Sequence, residues 1–205
     1  GPRAQLRVLE VGAGTGATTA AVLPCLPPER TTYCFTDVSP HFLDRARAQF
    51  AAVPFLRHAL LDIDRDAGEQ GFAPGTFDVV LAANVVHAAR DLRGAVGRLR
   101  ELLGPGGMLL LAEPTEHLGW FDMTFGLTDG WQHFDDDLRR DQPLLDLPQW
   151  LDELRRAGFT EARAWPEADA GIGQHVIAAR VPDGVTWARS TSTPADVPAD
   201  ARKEL

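Results

Sequence analysis

A glycine-rich segment near the beginning of the chain has the spacing of a nucleotide-binding turn. Residues 10–17, EVGAGTGA, directly follow a short apolar run. Glycine residues allow the backbone to turn sharply and to come close to a ligand. Gly12, Gly14 and Ala17 also satisfy the dinucleotide pattern G-x-G-x-x-G/A, so the turn alone does not distinguish between nucleotide cofactors. Asp37, about twenty residues further along, has the position of a carboxylate that binds ribose hydroxyls.

Carboxylates near this turn favour S-adenosyl-L-methionine over a dinucleotide. Glu10 precedes the first glycine, where it would attract the ammonium group of S-adenosyl-L-methionine and repel a pyrophosphate. Asp62 follows the third predicted strand, where its carboxylate can accept a hydrogen bond from an adenine amino group. Each acid alone could be a solvated loop residue, but that interpretation is much weaker for Glu10, Asp37 and Asp62 together. The predicted cofactor contacts are Glu10, Gly12, Ala13, Gly14, Gly16, Asp37, Val38, Asp62, Ile63 and Asn84.

A histidine and a glutamate at predicted strand ends could together remove a proton from an acceptor. His87 follows the fourth predicted strand and Glu113 ends the fifth. If these strands are neighbours, they lie about 4.8 Å apart, and a carboxylate bonded to one ring nitrogen would raise the basicity of the other. The residues alone leave an equal alternative, in which His87 caps a loop and Glu113 bonds backbone. The other histidines show no ligand spacing, and we predict no metal site: His41, His58, His117, His133 and His175.

Alternating apolar runs and amphipathic stretches indicate the elements that position these residues. The predicted strands cover 6–11, 31–36, 55–61, 77–83, 108–112, 160–165 and 175–181. The predicted helices cover 17–26, 40–50, 91–103 and 147–157. Repeated strand–helix alternation predicts an α/β fold with a parallel sheet and helices on both of its faces.

Two regions interrupt this alternation. Residues 114–146 form an aromatic-rich insertion, which could either line a substrate channel or pack against the sheet. Residues 182–205 are rich in Ala, Pro, Ser, Thr and Asp, a composition typical of a linker. We therefore predict one domain over 1–181 followed by a linker-like tail over 182–205.

The overall composition excludes several classes of partner. The net charge of -9 over 205 residues argues against nucleic acid, which requires a basic face. The charge also disfavours an anionic membrane surface, and no apolar run has the length of a membrane span. Cys25 and Cys34 show no metal-binding spacing and suggest no disulfide framework, so we expect a cytoplasmic protein.

Several segments together resemble class I S-adenosylmethionine-dependent methyltransferases, and more narrowly the C-methyltransferase domains embedded in polyketide synthases. The segments that carry the resemblance are VLEVGAGTGATTAAVLP, YCFTDVSPHFLDRAR, FDVVLAANVVHAARDL, LRELLGPGGMLLLAEPT and FGLTDGWQHFDDDLRRDQPLLDLPQWLDELRRAGF. The resemblance implies a Rossmann-like, seven-stranded, mostly parallel sheet with helices on both faces. It also implies a catalytic dyad at the positions of His87 and Glu113.

The resemblance further implies a substrate and partners. We expect methylation of the α-carbon of a β-ketoacyl chain on an acyl carrier protein, whose phosphopantetheine arm holds the acyl group, with other synthase domains as neighbours. The alternatives are O-methylation of a β-hydroxyl or enol, a catalytically silent structural domain, and a free-standing small-molecule methyltransferase. Related domains carry a helical lid before the core, whereas only residues 1–5 precede the first predicted strand, so we expect cofactor binding with weak turnover.

Overall fold

The computed structural model describes residues 5–124, 126, 129–167 and 173–184. Its strands are β1 (Leu6–Val11), β2 (Thr31–Asp37), β3 (Leu56–Leu60), β4 (Phe77–Ala83), β5 (Leu103–Pro114), β6 (Thr160–Trp165) and β7 (Gln174–Arg180). Its α-helices are α1 (Ala17–Val22), α2 (Pro40–Gln49), α3 (Leu92–Leu102), α4 (Trp120–Thr124) and α5 (Leu147–Arg156). The predicted tail lies outside the described residues beyond 184.

The strands form one seven-stranded sheet in the order β3-β2-β1-β4-β5-β7-β6. The five strands from β3 to β5 in that order pair in parallel, while β7 runs antiparallel to both β5 and β6. The prediction of a mostly parallel, seven-stranded sheet is therefore confirmed. From β1, the strands β2 and β3 extend the sheet to one side, and β4 and β5 extend it to the other side. The ends of β1 and β4 therefore flank the crevice where parallel sheets bind ligands.

Local sequence signals explain why the helices begin where they do. The side chain of Asp91 accepts a hydrogen bond from the backbone amide of Gly94 at the beginning of α3. Asp146 and Gln149 form a reciprocal capping box at the beginning of α5. Each arrangement satisfies backbone amides that have no partner within the helix. The apolar faces of both helices then pack into the core of the sheet, which includes the fully buried Trp150.

Two elements differ from the predicted bounds for identifiable reasons. The helix predicted over 17–26 ends at Val22 and continues as a short 3₁₀ turn over Leu23–Cys25, because Pro24 lacks an amide proton and disfavours helix before it. The strand predicted over 108–112 is longer and covers Leu103–Pro114. Its first residue pairs with β4 and its last residues pair with β7, so neighbouring strands extend it through a glycine-rich sequence.

The insertion over 114–146 is partly helical and contains its own small apolar cluster. Phe121, Trp131 and Leu144 are buried together, with Leu118 packed against them.

None of the helices in the described part of the chain combines the length and the hydrophobicity of a membrane span.

Candidate active site

A crevice of about 220 Å³ lies at the carboxyl ends of the parallel strands. Five of the predicted cofactor contacts line it, namely Gly12, Asp37, Val38, Asp62 and Ile63. The remaining lining residues were not predicted: Val11, Leu61, Asp64, Val85, Ala88 and Ala89. The first four lie within one position of a predicted cofactor contact, which is the sequence signal that could have found them, whereas Ala88 and Ala89 lie between β4 and α3 without such a neighbour.

The glycine-rich turn depends on backbone that only glycine adopts readily. Gly12, Gly14 and Gly16 all have positive φ angles, and such angles are strained for residues that carry a Cβ atom. A Cβ atom on Gly12 would also lie 2.6 Å from Cγ2 of Val85. The backbone amide of Ala13 donates to the carbonyl of Thr36 at 2.9 Å, which holds the turn against β2.

Asp37 lies where it can connect the turn to a ligand. One carboxylate oxygen accepts from the amide of Gly14 at 2.9 Å, and the other accepts from the amide of Ser39 at 2.8 Å. A carboxylate has about four lone-pair positions, so the two bonds leave acceptor capacity on the crevice side. The neighbouring Val38 is 65% exposed in the same crevice, an apolar surface that a bound nucleoside would cover.

Glu10 lies beneath the turn, and its side chain is directed into the protein. It is buried, and its carboxylate accepts hydrogen bonds from the hydroxyls of Thr19 and Tyr33. Burial raises the pKa of Glu10 above its ordinary value, while the bonds from Thr19 and Tyr33 offset part of that rise. The pKa of Tyr33 is raised as well, by burial and by the adjacent Glu10 carboxylate. A direct contact between Glu10 and the cofactor ammonium stays a prediction, and Glu10 does not line the crevice.

The loop after β3 is held in shape by hydrogen bonds of its own. The side chain of Gln70 bonds both the amide and the carbonyl of Asp62, at 2.8 and 2.9 Å. The carboxylate of Asp62 accepts from the amide of Asp64. Asn84, the last predicted contact, is exposed at the end of β4 and accepts from the side chain of Gln174 at 2.9 Å. The structure therefore places Asn84 next to the crevice rather than within its lining.

His87 and Glu113 are in direct contact. Because β4 and β5 are parallel neighbours, Nδ1 of His87 lies 2.6 Å from Oε2 of Glu113. The other oxygen of Glu113 accepts from the amides of Val85 and Val86, at 3.0 and 2.8 Å. Glu113 therefore bonds both the histidine and the backbone, and a catalytic role for the pair stays a prediction. The carboxylate is completely buried, whereas the imidazole is 13% exposed.

Two contacts of His87 with the insertion were missed by the sequence analysis. The ring of Trp131 lies edge-on to the His87 ring, with 6.2 Å between the centroids. The guanidinium of Arg139 donates to the carbonyl oxygen of His87 at 2.7 Å. Trp131 lies in a short 3₁₀ helix over Asp129–Gln132 and Arg139 in irregular chain, both far along the sequence, where no periodic pattern marks a contact. Among the described residues, no group of three or more His, Cys, Asp or Glu side chains could hold a metal ion.

The sequence is similar to a methyltransferase domain family and to segments of polyketide synthases. The sequence profile of a family described as "Methyltransferase domain" matches residues 9–109. Polyketide synthase ThaG of Burkholderia thailandensis is 44% identical over 88% of this chain. The highly reducing polyketide synthase lcsB of Purpureocillium lilacinum is 41% identical over 78%. The chain spans only 3% and 7% of the length of these two synthases.

Solved structures of methyltransferases are also similar to this chain. The CurJ carbon methyltransferase superposes with a TM-score of 0.85 and is 42% identical, covering 89% of this chain and 50% of its own. The DszA carbon methyltransferase superposes with a TM-score of 0.82 and is 37% identical, over 91% and 50%. The trans-methyltransferase CalH, in complex with SAH, has a TM-score of 0.80 and 36% identity, over 86% and 51%. The chain thus corresponds to about half of each of these structures.

Proposed function

Because the chain belongs to the class I S-adenosylmethionine-dependent methyltransferases, in the group formed by polyketide synthase domains, we propose that it methylates the α-carbon of a β-ketoacyl chain on an acyl carrier protein. The single observation that carries this proposal is the contact between His87 and Glu113 beside the nucleoside-sized crevice. Such a pair supplies the base that a carbon acceptor next to a thioester requires.

The crevice fits S-adenosyl-L-methionine in its chemistry. The absent side chain of Gly12 lets the turn pack against Val85, where a Cβ atom would lie 2.6 Å from Cγ2, and both residues line the crevice. Asp37 retains acceptor capacity for ribose hydroxyls, and Asp62 can accept from an adenine amino group. The exposed Val38 offers an apolar contact to the nucleoside. These features suit an uncharged nucleoside better than a pyrophosphate, since the lining carries the acids Asp37, Asp62 and Asp64.

The cofactor, when bound, supplies an electrophilic methyl group, and the protein must make the acceptor nucleophilic. Glu113 is a hydrogen-bond acceptor, so it holds the His87 proton on Nδ1 and leaves Nε2 free to act as the base. Nε2 would take the α-proton, and the electron pair of the broken C–H bond would form the new carbon–carbon bond to the methyl group, while the pair of the broken methyl–sulfur bond would stay on the departing sulfur. Glu113 stabilises the imidazolium that results, without itself being protonated.

Similarity to carbon methyltransferases favours the α-carbon over an oxygen acceptor. CurJ and DszA, both named as carbon methyltransferases, share 42% and 37% identity with this chain. O-methylation of a β-hydroxyl or enol would use a base in the same place, so the pair alone does not separate the two reactions. The neighbouring synthase domains and the acyl carrier protein are the partners that this assignment implies. Both cysteines are unpaired, which fits the cytoplasmic location that we propose.

The test compares two matched carrier-bound thioesters, a β-ketoacyl and a β-hydroxyacyl chain of equal length. We expect the mass of one added methyl group on the keto substrate only, with fragmentation that places it on the α-carbon. Methylation of the hydroxy substrate on oxygen would overturn the α-carbon assignment. Calorimetry with S-adenosyl-L-methionine separately tests the silent alternative, because a structural domain would show no binding.

A further inference from the structure

A buried arginine of the insertion holds the loop that carries His87. Nη1 of Arg139 donates to the carbonyl of His87 at 2.7 Å. Nη2 donates to the carbonyls of Ala89 and Arg90, at 2.6 and 3.0 Å. The side chain of Arg139 is completely buried, so these bonds form away from competing water. One guanidinium therefore fixes three backbone carbonyls within four residues of the loop.

Asp136 balances the charge of this arginine. Its carboxylate forms an ion pair with Nη2 of Arg139 at 2.7 Å and is itself 4% exposed. It also accepts from the amide of Leu92, the first residue of α3. Burial alone would raise the pKa of Asp136, but the bonds with Arg139 and Leu92 hold it below its ordinary value. The pair thus joins the insertion, the His87 loop and α3.

The hydrogen bonds to these carbonyls require a guanidinium, and a lysine at position 139 could not make all of them. A guanidinium presents five donors in a rigid planar fork, whereas a lysine ammonium is a compact point charge. The Arg139 guanidinium also lies over the ring of Phe134, 5.1 Å from its centroid. A lysine could keep the ion pair with Asp136 but could not span the carbonyls of His87 and Ala89 together.

The loop between β4 and α3 is therefore held from two sides. Glu113 accepts its first amides, those of Val85 and Val86, and Arg139 bonds its later carbonyls. We propose that Arg139 is a positioning residue, which keeps the His87 imidazole against Glu113 by fixing the backbone of residues 87–90. The catalytic consequence rests on the proposed function, but the positioning of the imidazole does not.

The test replaces Arg139 with lysine and reads the imidazole directly. In the wild-type chain, the Nδ1 proton that His87 shares with Glu113 should give an exchange-protected downfield proton resonance, which His87→Ala removes and thereby assigns. We expect Arg139→Lys to broaden or abolish that resonance. With the β-ketoacyl substrate, kcat should fall about 10- to 100-fold, as for a displaced catalytic group, while the KM for the substrate changes much less.

The matched control is Arg90→Met. The Arg90 side chain also links the loop to the insertion, through an ion pair with Asp135 at 2.9 Å, but it is 64% exposed. The control should leave both the resonance and kcat unchanged. If Arg139→Lys fails to fold, Arg139→Gln combined with Asp136→Asn gives the second measurement, because the double variant removes the buried ion pair as a whole and its glutamine amide can reach only one carbonyl.

These measurements distinguish failure of the positioning role from failure of the proposed function. A folded Arg139 variant that retains the protected resonance and wild-type kcat would overturn the positioning role while leaving the proposed function intact. A wild-type chain that shows the resonance but methylates no ketoacyl substrate would contradict the proposed function, and loss of the resonance in Arg139→Lys would still support the positioning role.

Discussion

The replacement Glu113→Gln tests whether His87 acts as a base in one particular tautomer. The glutamine oxygen can still accept from the amides of Val85 and Val86, which lie 3.0 and 2.8 Å from Oε1 of Glu113. The glutamine NH₂ group then faces Nδ1 of His87. That nitrogen must become the acceptor, so the imidazole proton moves to Nε2. In this tautomer, Nε2 can no longer receive a proton from the substrate.

The expected loss of rate in Glu113→Gln is the contribution of a general base. General-base catalysis contributes about 10²–10⁴ in rate, which corresponds to about 2.7–5.4 kcal/mol of barrier at about 1.36 kcal/mol per tenfold. Glu113→Ala would be a poorer test, because it leaves two buried amides unpaired at about 1–3 kcal/mol each. That loss is a large part of a typical stability of about 5–15 kcal/mol. Glu113→Gln keeps a partner for both amides, so it tests the catalytic rate without this loss of folding stability.

The assay measures methyl transfer to a β-ketoacyl thioester by mass spectrometry, alongside cofactor affinity by calorimetry and the thermal unfolding temperature. We expect the rate of Glu113→Gln to fall by about 10²–10⁴, with cofactor affinity and unfolding temperature close to those of the wild type. A folded variant that keeps a rate within about threefold of the wild type would refute the tautomer argument, since a general base is worth far more than that.

Three further substitutions probe the base, the ribose contact and the buried acid beneath the turn. His87→Ala should lower the rate by about 10²–10⁴ while leaving calorimetric cofactor affinity unchanged, and weakened cofactor binding would show that the imidazole has another role. Asp37→Ala should weaken calorimetric cofactor binding by about 10- to 100-fold, the worth of a hydrogen bond to a charged group, and unchanged affinity would remove Asp37 from the ribose site. Because burial raises the pKa of Glu10, the folded chain holds that proton more tightly than the unfolded chain, so stability falls as pH rises from the ordinary pKa through the raised one. Glu10→Gln should therefore gain in unfolding temperature relative to the wild type as pH increases through that window, and a difference independent of pH would contradict the raised pKa.

The parts of the site that follow from strand ends could be predicted from sequence. The runs at 6–11 and 77–83 were apolar enough to mark buried parallel strands, and the structure gives these same bounds. Since parallel strands end at one edge of the sheet, the positions of His87 and Glu113 relative to β4 and β5 indicated that the two side chains could meet, and they are in contact. Asp37 and Asp62 line the crevice for the same reason.

The parts that depend on side-chain direction or on irregular chain could not be predicted. Glu10 was expected at the mouth of the turn, but its carboxylate has partners on α1 and β2, Thr19 and Tyr33, which no local pattern connects to it. Arg139 lies 52 residues from His87 along the chain, in a segment without regular secondary structure. Such contacts arise from tertiary packing, for which a single sequence carries no periodic signal.

The cofactor turn and the base loop are in direct contact, so their geometries cannot vary independently. The absent side chain of Gly12 lets the turn approach Val85 to a distance at which a Cβ atom would lie 2.6 Å from Cγ2. The amide of Val85 in turn donates to Glu113, which holds His87. Any shift of the turn is therefore transmitted through one residue to the carboxylate that orients the base. Close packing tolerates little displacement of such neighbours, so the contacts that shape the crevice also fix the position of the His87 imidazole.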